Sequence, residues 1–127
     1  MSRFSLGARI RSFTYALRGL GFMLRTQHNA WIHLAMSVAV IGTASALDLS
    51  SSDWCWLILA MVGVWAAEAF NTSIEELADA LHPEPNKRIA HAKDVAAGAV
   101  LILAIGASAI GLIILGPPLL NFLRASL

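Results

Sequence analysis

Across the middle of the chain, Glu68, Asn71, Thr72, Glu75, Glu76 and Asp79 follow one another at helical spacing. A helix advances about 100° per residue, so Glu68, Thr72, Glu75 and Asp79 fall within roughly 60° of one another, with Asn71 beside them. One stripe thus carries three carboxylates, an amide and a hydroxyl. Carboxylates take protons from hydroxyl groups and bind hard divalent cations, and both tasks need the acids on one face. Residues 54–67, which lead into the stripe, carry no charge. At about 1.5 Å per residue Glu68 lies roughly 21 Å along the helix from Trp54, inside a hydrocarbon slab about 30 Å thick. A carboxylate at that depth costs on the order of 2.5 to 3.5 kcal/mol, which marks it as functional unless a basic residue of a neighbouring helix offsets it.

The elements that must hold this stripe are membrane elements. The 127 residues are 57% hydrophobic and 13% charged, whereas soluble domains carry about 25% charged residues. The expected class is an all-α integral membrane protein of one domain. A net charge of +1 says nothing about partners, and no nucleic-acid partner is expected. Cys55 is the single cysteine, which excludes an intrachain disulfide, a zinc ribbon and a CxxC redox site. The arginines among the first 28 residues are dispersed through an apolar pattern, unlike the charged start of a cleaved signal peptide.

Residues 5–25 read as an amphipathic helix lying on a membrane surface, because Leu6, Ile10, Phe13, Leu17, Leu20 and Leu24 recur at three- and four-residue steps. Gly19 and Gly21 there suggest a bend or a close helix contact and not a phosphate loop, since no GxxxxGK[ST] is present. Residues 30–47 are expected to form the first span, in which His33 reads as a packing residue satisfied by its neighbours. Residues 48–53 form a turn, and residues 54–81 form a second span that runs on into the cytoplasm. Pro83 and Pro85 break the chain, Asn86 is placed to cap the next helix, and residues 87–115 form the third span, closed by Gly116, Pro117 and Pro118. Gly98, Gly106 and the Ala107–Gly111 pair suggest close approach between helices. Eight of the nine Lys and Arg residues lie in the amino-terminal helix or between Lys87 and Lys93, which puts both segments on the cytoplasmic side of the membrane.

Acids grouped with bases at that boundary suit a magnesium-bound polyphosphate, and a deeper acid suits a reacting group confined to the bilayer. Together they suggest phosphoryl transfer from a soluble nucleotide to a lipid hydroxyl. Glu68 would accept the hydroxyl proton, Glu75 would hold metal, and Lys93 with some of the arginines would meet phosphate charge. Glu68 as the coupling acid of a small proton-linked transporter is the alternative, although it leaves residues 75–79 and 87–93 unexplained.

Residues 68–75, EAFNTSIE, with Asp79 following, resemble the signature E-x-x-N-[ST]-[AS]-[IV]-E-x-x-x-D of the prokaryotic diacylglycerol kinase and undecaprenol kinase family. Residues 92–101, AKDVAAGAVL, resemble its second motif, and Phe13, Ala16 and Gly19 its amino-terminal F-x-x-A-x-x-G. The resemblance implies a homotrimer of three-span subunits with active sites shared between neighbours. It also implies a general base at Glu68, with Asn71 aligning base and hydroxyl, and a ligand at Glu75 for the Mg²⁺ that carries ATP. By the same resemblance Tyr15, Glu84, Asn86, Lys93 and Asp94 contact the nucleotide. Two departures stand out. Relatives carry a second metal-binding glutamate in an E-x-N context, where this chain has Gln27 in Gln27-His28-Asn29, and the loop HPEPNKR replaces a glutamate followed by tyrosine and histidine. A family member that has lost activity through Gln27 and serves as a scaffold is a further alternative. The AAGAV run leans toward the undecaprenol branch, while the lipid acceptor itself, diacylglycerol or undecaprenol, stays open.

Overall fold

The structure, a computed structural model, describes residues 5–125, and Arg3, counted above among the cytoplasmic charges, lies outside them. Within that range the chain is four helices: α1 (Leu6–Thr26), α2 (His28–Ser45), α3 (Ser51–Leu81) and α4 (Lys87–Ala125). Each junction has a local cause. Ser5 caps α1 by accepting a 3.4 Å hydrogen bond from the Ala8 N–H. A single extended residue, Gln27, separates α1 from α2 and so stands at the corner between the two helices. Ser50 and Asp53 form a reciprocal capping box that starts α3 inside the expected 48–53 turn. Asn86 Oδ1 accepts from the Arg88 N–H at 2.9 Å and the Ile89 N–H at 3.4 Å, the cap that its position suggested.

α2 and α3 start two and three residues before the expected 30 and 54, and the largest difference lies at the carboxyl end. α4 does not stop at Gly116; it continues through Pro117 and Pro118 to Ala125. Each proline removes an intrahelical donor and sets its ring against the carbonyl four residues back, but its φ is fixed near the helical value, so the chain can stay helical past the pair. Gly116, lacking a Cβ, also relieves much of the clash that a ring at Pro117 imposes on the residue before it.

α3 and α4 are each long and apolar enough to cross a membrane. At about 1.5 Å per residue their 31 and 39 residues extend roughly 46 and 58 Å, well beyond the hydrocarbon thickness. They form the main packing pair, with α2 against α3 and the end of α1 tucked onto both α2 and α3. The core is small: Met23, Ala30, Ala44, Leu57, Val64, Ala96 and Val100. The apolar stripe of α1 faces outward instead, with Phe13 72% exposed. Gly19, Gly21, Gly98, Gly106 and Gly111 have open space where a Cβ would be, so the close approaches expected at those glycines do not occur within this chain.

Candidate active site

α3 presents Leu57, Val64, Glu68, Asn71 and Thr72 to the interior, so the apolar face of a helix turns polar without leaving the core. Of the three largest fully buried side chains, Met23, Leu57 and Glu68, one is a carboxylate with 0% exposure. Among the described residues neither oxygen of Glu68 has a hydrogen-bond partner. Burying an ionisable group in this way is costly, and such groups are ordinarily paired. The nearest basic atom is His33 Nε2, 3.7 Å from Glu68 Oε2, and it too lacks a hydrogen-bond partner. His33 is therefore no satisfied packing residue, which corrects the expectation from its position.

About two turns toward the Leu81 end of α3 the arrangement is closed. Asn71 Nδ2 donates to Glu75 Oε1 at 3.1 Å, and Gln27 Nε2 donates to Glu75 Oε2 at 3.3 Å. Both carboxylate oxygens of Glu75 are thus held, one from its own helix and one from the α1–α2 corner. Asn71, expected to align Glu68, directs its amide nitrogen to Glu75 and leaves its buried Oδ1 without a partner. Thr72 shares the stripe but donates back to the Glu68 carbonyl at 2.8 Å, so its hydroxyl is spent within the helix. A further turn along, Asp79 accepts from Lys93 Nζ at 2.9 and 3.0 Å, joining α3 to the start of α4.

Three contacts place α2 and α3 in antiparallel register: Gln27 with Glu75, His33 with Glu68, and Ser37 with Trp65, whose indole N–H donates to the serine hydroxyl at 3.1 Å. Six residues along α2 match seven back along α3, so a Gln27–Glu75 pair at the boundary carries His33 to the deeper acid. That register is the signal by which His33 was open to recognition. The remaining expected residues lie apart. Tyr15, Glu84, Asn86 and Asp94 are exposed, and none of their side chains bonds to the Gln27–Glu68–Glu75 cluster.

Two grooves flank α3. One of about 430 Å³ between α3 and α4 is lined by Gly63, Ala67, Phe70, Asn71, Ala96 and Leu103, with Asn71 as its polar group. The other, about 610 Å³, runs along α2, α3 and α4 and includes His33, Ser37 and Trp65. Among the described residues no three His, Cys, Asp or Glu side chains come together as a metal cluster. Among those residues the cluster is a buried carboxylate paired only with His33 at 3.7 Å, a clamped carboxylate about two turns away, and a lysine beyond it, in line along α3 toward the basic start of α4.

Residues 14–115 match the family described as prokaryotic diacylglycerol kinase. The undecaprenol kinase of Bacillus subtilis is 35% identical over 109 residues, covering 86% of this chain and 89% of that protein. The diacylglycerol kinase of Synechocystis sp. is 40% identical over 113 residues, covering 88% of this chain and 65% of that protein. No solved structure matches the chain. With most of its length matched and its acid stripe inside the matched region, the chain belongs to the prokaryotic diacylglycerol kinase family, a family of lipid kinases.

Proposed function

We propose that this chain transfers the γ-phosphoryl group of ATP to the hydroxyl of a membrane lipid alcohol, with Glu68 as general base. The observation that carries this is a fully buried carboxylate whose two oxygens have no hydrogen-bond partner among the described residues, on a helix apolar enough to span a bilayer. A base must be free to accept, and a hydroxyl confined to the membrane must be met at membrane depth. Glu68 takes the hydroxyl proton as the lipid oxygen bonds to phosphorus and the bond to the departing ADP oxygen breaks. Asn71, with its unpartnered Oδ1 one turn away, positions the hydroxyl.

Mg²⁺ is ordinarily held by one or two carboxylates together with substrate phosphates. Glu75 would supply one carboxylate, and Gln27, whose amide nitrogen donates to Glu75 Oε2 here, would offer its oxygen to the ion once the amide turned over. Bound there, Mg²⁺ would neutralise phosphate charge during transfer. Glu68 and Glu75 are about 10 Å apart along the helix axis, a spacing that a nucleotide triphosphate can bridge. Lys93 exchanges Asp79 for a phosphate oxygen, and Tyr15, Glu84, Asn86 and Asp94 complete the nucleotide contacts.

The molecular frame follows from the same reading. α2, α3 and α4 are the three spans (30–47, 54–81 and 87–115), and α1 (5–25) lies on the cytoplasmic surface of a bacterial inner membrane with its arginines toward headgroups. Three copies share active sites at their interfaces. The family's relatives are named for undecaprenol and for diacylglycerol, and both alcohols present a primary hydroxyl at headgroup level, so either suits Glu68. The direct test incubates the purified chain with γ-labelled ATP and vesicles holding one alcohol or the other. Label is expected in a lipid only when Mg²⁺ is present; ATP left intact and both lipids unlabelled would rule the activity out.

A further inference from the structure

We propose that His33 is a positioning residue for the general base: its Nε2–H holds Glu68 Oε2 and leaves Oε1 as the oxygen that takes the lipid hydroxyl proton. This rests on the assignment of Glu68 as base. Four buried side-chain atoms lack hydrogen-bond partners among the described residues, namely His33 Nε2, both oxygens of Glu68 and Asn71 Oδ1. Buried polar atoms are nearly always paired, so four unpaired ones on three side chains mark a site still waiting for a ligand. Two of these atoms already face each other at 3.7 Å. That is a few tenths of an ångström too long for an N–H···O bond, and catalytic hydrogen bonds commonly tighten only when substrate binds. The antiparallel register makes the approach a property of two helices, since the Gln27–Glu75 and Trp65–Ser37 bonds fasten α2 to α3 on either side of the His33–Glu68 pair.

The chemistry assigns one task to each atom. A carboxylate that serves as base needs one oxygen restrained, or it rotates and presents either oxygen to any donor. With Nε2–H on Oε2, Oε1 alone is left to face the incoming hydroxyl, and Asn71 Oδ1 is the acceptor that completes its alignment. The proton passes from the lipid oxygen to Oε1 while His33 keeps its own proton throughout, and the phosphoryl group passes from ATP to the lipid oxygen. His33 touches no reacting atom.

The test compares steady-state lipid phosphorylation by wild type, His33→Leu and His33→Gln, each measured alone and in the Glu68→Gln background. Losing a hydrogen bond to a charged group corresponds to roughly a 10- to 100-fold change, so His33→Leu is expected to lower kcat by about that factor. KM for ATP should stay unchanged. Glutamine reaches about as far as Nε2 and also donates an N–H, so His33→Gln should recover most of the loss. In the Glu68→Gln background His33→Leu should have no further effect. Should leucine prevent folding, His33→Asn, whose shorter amide cannot reach Oε2, is expected to behave as leucine would have. Wild-type kcat in His33→Leu, equal losses in His33→Leu and His33→Gln, or a loss that appears as a raised KM for ATP would each overturn the role of His33 while leaving Glu68 as base. Retained turnover in Glu68→Gln alone would remove the base itself.

Discussion

Gln27 and Glu75 show what a single atom changes. The family motif leads one to expect a carboxylate where this chain has Gln27, whose amide nitrogen donates to Glu75 Oε2 at 3.3 Å. In the absence of metal that amide supplies the positive edge that two carboxylates would lack, so the pair is stable without an ion. Substituting Gln27→Glu exchanges an attraction for a repulsion that only a cation relieves. The variant is expected to reach half-maximal lipid phosphorylation at roughly tenfold lower Mg²⁺, because ligand charge sets divalent affinity. It should also melt at lower temperature than wild type when Mg²⁺ is removed. Titrating Mg²⁺ in parallel assays of the two proteins checks this, and coincident curves would show that Gln27 is no ligand. At this scale the stripe was legible in advance, because Glu68, Asn71 and Glu75 lie on one helix and helical geometry alone sets their relation. His33 was not, because its relation to Glu68 depends on how α2 slides against α3, and only the long-range pairing of Gln27 with Glu75, not a local pattern, records that register.

Among the elements, the helix starts were the most legible and the end of α4 the least. Ser50 with Asp53, and Asn86 ahead of a helix, are local signals that need no tertiary context. Gly116-Pro117-Pro118 is a local signal that the structure overrides, since φ of proline suits a helix already under way. The cap at Asn86 bears on function, because the same residue is proposed to contact the nucleotide. Its Oδ1 is already engaged by the Arg88 and Ile89 N–H groups, which leaves only its amide nitrogen for a ligand. Asn86→Ala should therefore cost about 1 kcal/mol of stability, the usual worth of an N-cap, and Asn86→Asp should restore it. Denaturant melts in detergent measure both. Equal stability of wild type and Asn86→Ala would mean that the cap does not support α4. By contrast the Asp79–Lys93 pair is solvent-exposed on the Asp79 side, and exposed pairs contribute little to stability, so its meaning is orientation of Lys93.

For the whole molecule, the weight of evidence lies in what is inside out. Leu101, Ile102, Ile105, Leu112 and Ile113 of α4 are exposed, Ile113 at 74%, while Glu68 is sealed at 0%. A soluble protein does the reverse on both counts. Apolar faces of this extent need lipid or further copies of the chain against them, and both belong to the proposed trimer in a bilayer. Between those faces one line of polar groups runs from Glu68 through Asn71 and Glu75 toward Lys93, the line along which the proposed reading brings a lipid hydroxyl to one end and a nucleotide to the other. The measurement that bears most directly on that arrangement is single-turnover transfer of labelled γ-phosphate to lipid by Glu68→Gln, with Mg²⁺·ATP binding measured on the same protein. Loss of a general base predicts transfer slower by roughly 100- to 10,000-fold with nucleotide binding unchanged. Transfer by Glu68→Gln at the wild-type rate would contradict it.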